Sequence, residues 1–334
     1  MKRLITICCL LVLAEKLHAQ DPHFSQFFAS PLTLNPAFTG KFDGEFRVAG
    51  NYRNQWPTIY NAFITTTGSV DFHVGKNSIA PNDTWGVGAM FYSDNSANGA
   101  VKSNYAGIST AYHKGLDEEG YHQIGLGFQA TYANMNIYTQ NLKFEDQLTN
   151  AGFTGVTSEI FNYSTLSTKY FDMNAGVLYT GSTSDRNFFY FGISLYHINR
   201  PKQKLTGAEY ILNPRATFQA GTYFGISDNA TLHFSGLQTF QGGASETLLG
   251  GAVQLTANPD VPKPTSLYLG TWVRFNDALI PYVGIEYDDF RLGVTYDVNT
   301  STLKTASQKQ GGIEVSLIYA LRKSTDHPVN CPKF

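Results

Sequence analysis

Some fourteen stretches of about ten residues each alternate apolar and polar side chains with a period of two between Gly44 and Arg322. Residues 122 to 134 show the pattern best. Ile124, Leu126, Phe128, Ala130 and Tyr132 fall on one side, and Gln123, Gly125, Gly127, Gln129 and Thr131 on the other. Successive strand side chains point to opposite faces, so each stretch offers one face suited to lipid and one suited to water. A single such strand would serve equally in a soluble sandwich, but the repetition and the flanks point to a transmembrane β-barrel.

The alternation predicts strands over residues 44 to 53, 61 to 73, 84 to 93, 102 to 113, 122 to 134, 171 to 181, 188 to 198, 215 to 225, 230 to 240, 247 to 257, 266 to 275, 279 to 287, 289 to 298 and 312 to 322. The fold class is therefore all-β: an outer-membrane barrel of about 14 antiparallel strands, an even number as bacterial single-chain barrels require. The lengths suit the roughly 9 to 11 tilted residues that cross a bilayer. Connections after odd strands include the three longest, near 135 to 170, 199 to 214 and 299 to 311. Long loops belong outside and short turns in the periplasm, so both termini are expected to be periplasmic.

The connection 135 to 170 carries Phe144, Phe153, Ile160, Phe161 and Tyr163 and is too long for a plain turn. It is expected to fold over or into the barrel mouth as a lid or constriction. Residues 20 to 43 precede the first strand. Phe24, Phe27 and Phe28 recur there at helix spacing after Pro22, and Pro36 biases Asn35 toward an extended form. A short helix and a turn are expected, plugging the lumen from the periplasmic side. Residues 323 to 334, with Pro328 and Pro332, read as a polar periplasmic tail.

Met1 to Ala19 has a basic start (Lys2, Arg3), an apolar run from Leu4 to Ala14 and a small residue at Ala19, the pattern of a secretory signal peptide, leaving Gln20 first. The run is far below the roughly 20 residues of a spanning helix. Cys8 and Cys9 leave with it, and Cys331 alone cannot form an internal disulfide. The formal charge of −2 becomes about −4, with 21 basic against 25 acidic residues once Lys2, Arg3, Lys16 and Glu15 are gone, so nucleic acid is not an expected partner. Aromatics at 14%, with 31 Gly and 15% charged residues, suit a lipid-facing sheet with interfacial girdles.

No nucleophile elbow, zinc-protease helix, phosphate loop or dinucleotide fingerprint stands in its required setting, and no Cys/His group has metal-site spacing. Gly125, Gly127, Gly86 and Gly88 lie inside alternating strands and read as relief of crowding on the lumen face. The histidines His23, His73, His113, His122, His197, His233 and His327 are scattered and read as rim or lumen polar residues. Asp117-Glu118-Glu119 and Asp288-Asp289 read as solvated turn charge. Asn51-Tyr52-Arg53-Asn54-Gln55-Trp56-Pro57 gathers residue types that anchor protein interfaces. An aromatic girdle with a snorkelling arginine explains the same stretch equally well.

The motifs Asp21-Pro22-His23-Phe24-Ser25-Gln26-Phe27, Asn35-Pro36-Ala37-Phe38-Thr39-Gly40 and Asn51 to Pro57 come first. Phe144-Glu145-Asp146-Gln147, Tyr170-Phe171-Asp172-Met173-Asn174-Ala175-Gly176, Asp277-Ala278-Leu279-Ile280 and Cys331-Pro332-Lys333-Phe334 follow. In this order the chain resembles, over its whole length, the PorP/SprF outer-membrane proteins of the type IX secretion system of Bacteroidetes. The resemblance implies a non-enzymatic barrel, without cofactor, whose partners are other secretion-system components and a secreted surface adhesin. The adhesin's C-terminal sorting domain would need the barrel for export or attachment. It further implies that loops 53 to 60, 135 to 170 and 199 to 214 face the adhesin, with Tyr52, Arg53, Gln55, Trp56, Phe144 and Asp146 as partner-binding residues. Phe24, Ser25, Gln26, Asn35 and Pro36 are the expected plug residues. The ending departs from the common pattern, since Phe334 follows two prolines rather than closing the last strand. A FadL-like transporter of hydrophobic small molecules, which also pairs about fourteen strands with an Asn-Pro-Ala plug, stays open, and a barrel hydrolase is the third class.

Overall fold

The structure is a computed structural model and describes residues 21–321 except 60, 61, 76, 77, 185, 206 and 258–263. The signal-peptide reading of residues 1–19 and the readings of the tail, of Cys331 and of Phe334 lie outside the described residues. Strands in chain order are β1 Phe46–Gln55, β2 Phe63–Val74, β3 Thr84–Ser96, β4 Val101–Gly115, β5 Gln123–Tyr138, β6 Leu148–Thr149, β7 Gly152–Phe153, β8 Thr165–Ser184 and β9 Asn187–Tyr196. They continue with β10 Lys202–Leu205, β11 Ala208–Ile211, β12 Arg215–Ser227, β13 Ala230–Gln241, β14 Ala244–Ala257, β15 Thr265–Arg274, β16 Ala278–Tyr287, β17 Phe290–Asn299 and β18 Gln310–Ala320.

Fourteen of these close into one antiparallel barrel, each paired with its sequence neighbour and β1 pairing with β18. The pairs β6–β7 and β10–β11 are small hairpins within the two longest connections. No helix among the described residues is long and apolar enough to cross a membrane. The alternation sorts as the sequence requires: Ile124, Leu126, Phe128 and Tyr132 are exposed on the outside, while Gln129 and Thr131 are buried on the inside. Burying the polar face of a closed sheet is stable only if the lumen supplies hydrogen-bond partners.

Fourteen strands enclose more space than inward side chains fill, since eight already leave an interior just wide enough for them. Residues 21–45 occupy it. They form no continuous helix: a 3-10 turn over Phe27–Ala29, one helical turn over Pro31–Leu34 and another 3-10 turn over Pro36–Phe38 follow one another, because Pro31 and Pro36 interrupt the backbone ladder. One side of this segment packs apolar groups against the wall, with Phe28 5.0 Å from Trp272 and 5.5 Å from Tyr282. Phe38 stands edge-on to Tyr190 at 5.6 Å.

Two expectations are corrected. The segment is not confined to the periplasmic end. Asp21 hydrogen-bonds Gln241 at the end of β13, where the long loops are, whereas Glu45 bonds Leu321 at the opposite rim, so it runs the length of the lumen. The connection between β5 and β8 does not fold into the mouth: Val156, Ile160 and Tyr163 are 93%, 89% and 70% exposed. Its contacts close on the loop itself, Phe144 stacking on Phe161 and Asp146 accepting from Ser158. β5 and β8 also outrun the apolar pattern, pairing as far as Tyr138 and Thr165, because the backbone ladder continues where polar side chains end the alternation.

Candidate functional site

The lumen segment is fastened at four levels, each by charged or amide side chains of the wall or of the segment itself. Nearest the long loops, His197 follows directly on β9 with Nε2 2.7 Å from Asp21 and Nδ1 3.0 Å from Asp172. Arg215, the first residue of β12, lies 3.4 Å from Asp21 and 4.3 Å over the Tyr196 ring. Burial disfavours the His197 imidazolium, but the hydrogen bonds and charges of Asp172 and Asp21 outweigh it and raise the pKa to about 9. Burial likewise acts against the Asp21 carboxylate, and Arg215 with His197 more than offsets it, holding it at about 2. At this end His197 meets both carboxylates, and Arg215 meets Asp21.

One turn further in, Glu314 of β18 accepts the backbone N–H of Ser25 at 2.7 Å and of Gln26 at 3.0 Å. Ser25 Oγ donates to Asp297 at 2.8 Å and accepts from Arg274 at 2.7 Å and from Arg53. Arg53 also pairs with Asp297 at 2.9 Å and Glu314 at 3.2 Å. The Gln26 amide donates to the Glu314 carbonyl and accepts from Ser316 Oγ at 2.6 Å. The hydroxyl of Ser25 is thus committed to a carboxylate and two guanidinium groups, with no imidazole to take its proton, which suits a strut rather than a nucleophile.

Midway, Asn35 turns its side chain on the chain and on the wall at once. Its oxygen accepts from Ala37 N–H at 2.8 Å, and its amide donates to the carbonyls of Val177 at 3.2 Å and Ile193 at 3.3 Å. Pro36 and Ala37 press so closely on Gly127 that a Cβ there would collide with their backbone. Near the short turns, Asp71 accepts Gly40 N–H at 2.7 Å and pairs with Arg47 at 2.8 Å. His113 and His73 meet the carbonyls of Thr39 and Gly40 at 3.2 and 2.6 Å. Four histidines that look scattered in the sequence, His23, His73, His113 and His197, therefore sit on the segment or against it.

Phe24, Ser25, Gln26, Asn35 and Pro36 all lie in the lumen. Phe24 stands edge-on to Tyr92 at 6.5 Å. The residues expected to bind a partner are not brought together. Alternation places Tyr52 on the lipid face and Arg53 inside, where it is 1% exposed, so Arg53 belongs to the lumen and not to a docking surface. Gln55 and Trp56 end β1 half-buried, with Trp56 N–H donating to the Gly311 carbonyl and its ring 5.7 Å from Phe63. Phe144 and Asp146 stand beyond β5, four strands away around the barrel. The sequence reading missed Asp172, Arg215, Arg274, Asp297 and Glu314. Their signal was present: each is a charge at an inward position of an alternating strand, or at the first such position.

Two small cavities of about 60 Å³ each flank Asp21 and Pro22. Both mix apolar and charged walls: Phe24, Phe27, Leu237, Arg215 and Glu246 in the first, Met90, Tyr92, Arg215, Asp172 and His197 in the second.

The family model described as type IX secretion system membrane protein PorP/SprF matches residues 16–319. No curated protein matches the chain. Among solved structures it is similar to the toluene transporter TodX of Pseudomonas putida, with 9% identity, a TM-score of 0.51, and coverage of 91% of this chain and 99% of that one. It is also similar to the monoaromatic hydrocarbon channel CymD, with 9% identity, a TM-score of 0.48, and coverage of 89% and 94%. Identity this low speaks for the barrel fold alone.

Proposed function

We propose, from the premise that this chain belongs to the PorP/SprF family, that it is a non-enzymatic component of type IX secretion that holds a partner adhesin at the cell surface. The adhesin's C-terminal sorting domain docks on the long-loop end of the barrel, which faces outward. The observation that carries this reading is the filled lumen. A segment held by ion pairs at Asp21 and by buried hydrogen bonds at Ser25, Asn35 and Gly40 from one rim to the other leaves no passage for a polypeptide, so the barrel acts through its rim. That rim presents Val156, Ile160 and Tyr163 to solvent on the longest connection, apolar side chains that a docked domain would cover.

A transporter of hydrophobic molecules needs an apolar path. Here the two cavities that flank Asp21 and Pro22 are about 60 Å³ each, with the Arg215 guanidinium bordering both. The reading is tested by changing Val156, Ile160 and Tyr163 together to serine in cells that carry the natural adhesin. Adhesin should appear in the medium while the variant barrel remains heat-modifiable in the outer membrane. Undiminished surface display would refute docking at this loop.

A further inference from the structure

On the outside of the wall, β3, β4, β5 and β8 carry three aligned rows near the long-loop rim. The row nearest the apolar band is Phe91, Ala106, Tyr132 and Phe171, register partners in turn, with the Tyr132 and Phe171 rings 5.4 Å apart. Above it run Ser93, Asn104, Asn134 and Lys169, and above those Asn95, Lys102, Asn136 and Ser167. All share the face of Ile108, Phe128 and Met173, so all meet the membrane boundary rather than the lumen. Neither upper row contains a carboxylate.

The amides in these rows are oriented. Ser93 Oγ donates to Asn104 Oδ1 at 2.8 Å and Ser167 Oγ to Asn134 Oδ1 at 3.2 Å. With both carbonyl oxygens occupied, the two Nδ2 groups present hydrogens to an acceptor. Lys102 and Lys169 are exposed, and among the described residues neither is ion-paired; Lys102 rests over the Tyr138 ring at 5.6 Å. They stand two strands and two residues apart, roughly 12 Å between Cα atoms from ordinary strand spacing and rise, so both side chains reach a group seated between them. Arg200, also exposed, follows Asn199, whose amide donates to the Phe171 carbonyl at 2.8 Å.

Cations and oriented amide donors directly above an aromatic belt match a phosphate whose acyl chains continue down the apolar wall. We propose that Lys102, Asn104, Asn134 and Lys169 form a binding site for the phosphate-bearing headgroup of an outer-leaflet glycolipid. The leaflet follows from the outward long loops proposed above; the site itself does not depend on that orientation.

The test is native mass spectrometry of the purified full-length barrel in micelles, titrated with bisphosphorylated lipid A and with its dephosphorylated form. The wild type should favour the phosphorylated lipid, and Lys102→Ala with Lys169→Ala should bind it at least tenfold more weakly. Lys102→Arg with Lys169→Arg should keep most of the affinity, and Lys304→Ala with Lys309→Ala, in another loop of the same rim, should keep all of it. Added salt should weaken wild-type binding, since the charges are exposed, and this readout stands even if the alanine variant fails to fold. Equal binding of the two lipids, equal binding by the double alanine variant, or full competition by millimolar inorganic phosphate would overturn the proposal.

Discussion

Replacing Arg53 by methionine keeps the length of a side chain that is almost wholly buried and removes its charge. Glu314 then loses its guanidinium at 3.2 Å and keeps the N–H groups of Ser25 and Gln26. Asp297 keeps Arg274 at 3.0 Å. Removing one partner of a buried pair typically costs about 3–5 kcal/mol, because the remaining charge is left without compensation. The barrel wall is closed by its own ladder, so the cheaper relief is for the turn around Ser25 to leave its place and admit water to Glu314. At about 1.4 kcal/mol per tenfold, the open population of that turn should rise by roughly two to nearly four powers of ten. Amide hydrogen exchange resolved to short peptides reads it directly. Residues 24 to 30 should exchange far faster in the variant, while β15 to β17 exchange as in the wild type. Unchanged protection of Ser25 and Gln26 would refute the strut role of Arg53. Simultaneous loss of the ladder would show that the lumen segment and the wall form a single cooperative unit.

The fastening at the long-loop end should respond to pH on both sides. The His197 pKa rises on folding from 6.5 to about 9, so its contribution, on the order of 3 kcal/mol, is full below pH 6.5 and lost as pH rises through 9. That of Asp21, lowered from 3.8 to about 2, is present above 3.8 and lost as pH falls through 2. Exchange of residues 21 to 24 should therefore be slowest between about pH 4 and 6.5 after correction for intrinsic rates, and His197→Gln should flatten the alkaline limb. A wild-type profile without that limb would contradict the assignment. Gly127→Val places a side chain against the backbone of Pro36 and Ala37, and overpacking of about 1–3 kcal/mol should show as lost protection at Asn35 to Phe38. Gly68→Ala, on the lipid face with open space around it, should leave protection unchanged.

The wall was legible because its signal is local. A period of two repeated over ten-residue stretches reports which face meets lipid, and Ile124 to Tyr132 needed nothing more. Tyr52 and Arg53 show the limit. Read as composition they belong to one interface-like stretch; read by parity they must part, and parity governs because a strand cannot turn adjacent side chains to the same face. The fastenings were harder to see because they join residues far apart in the chain. Ser25 meets Glu314 and Asp297, and Asp21 meets His197 and Arg215. Nothing near Glu314 in sequence names its partner, although an acidic residue at an inward position of an otherwise uncharged strand is a sign that something charged must reach it. The long loop misled for a related reason. Its aromatic content suggested burial in the mouth, but the mouth was already occupied by residues 21–45.

The most direct test of the account is affinity isolation of the tagged full-length protein from gently solubilised outer membranes, with mass spectrometry of what remains bound. A rim platform for secretion should bring with it a large surface protein held through its C-terminal domain, and the Val156, Ile160 and Tyr163 serine variant should lose that protein while keeping other secretion-system components. Recovery of the folded barrel without any surface protein, under conditions that preserve those other contacts, would contradict it.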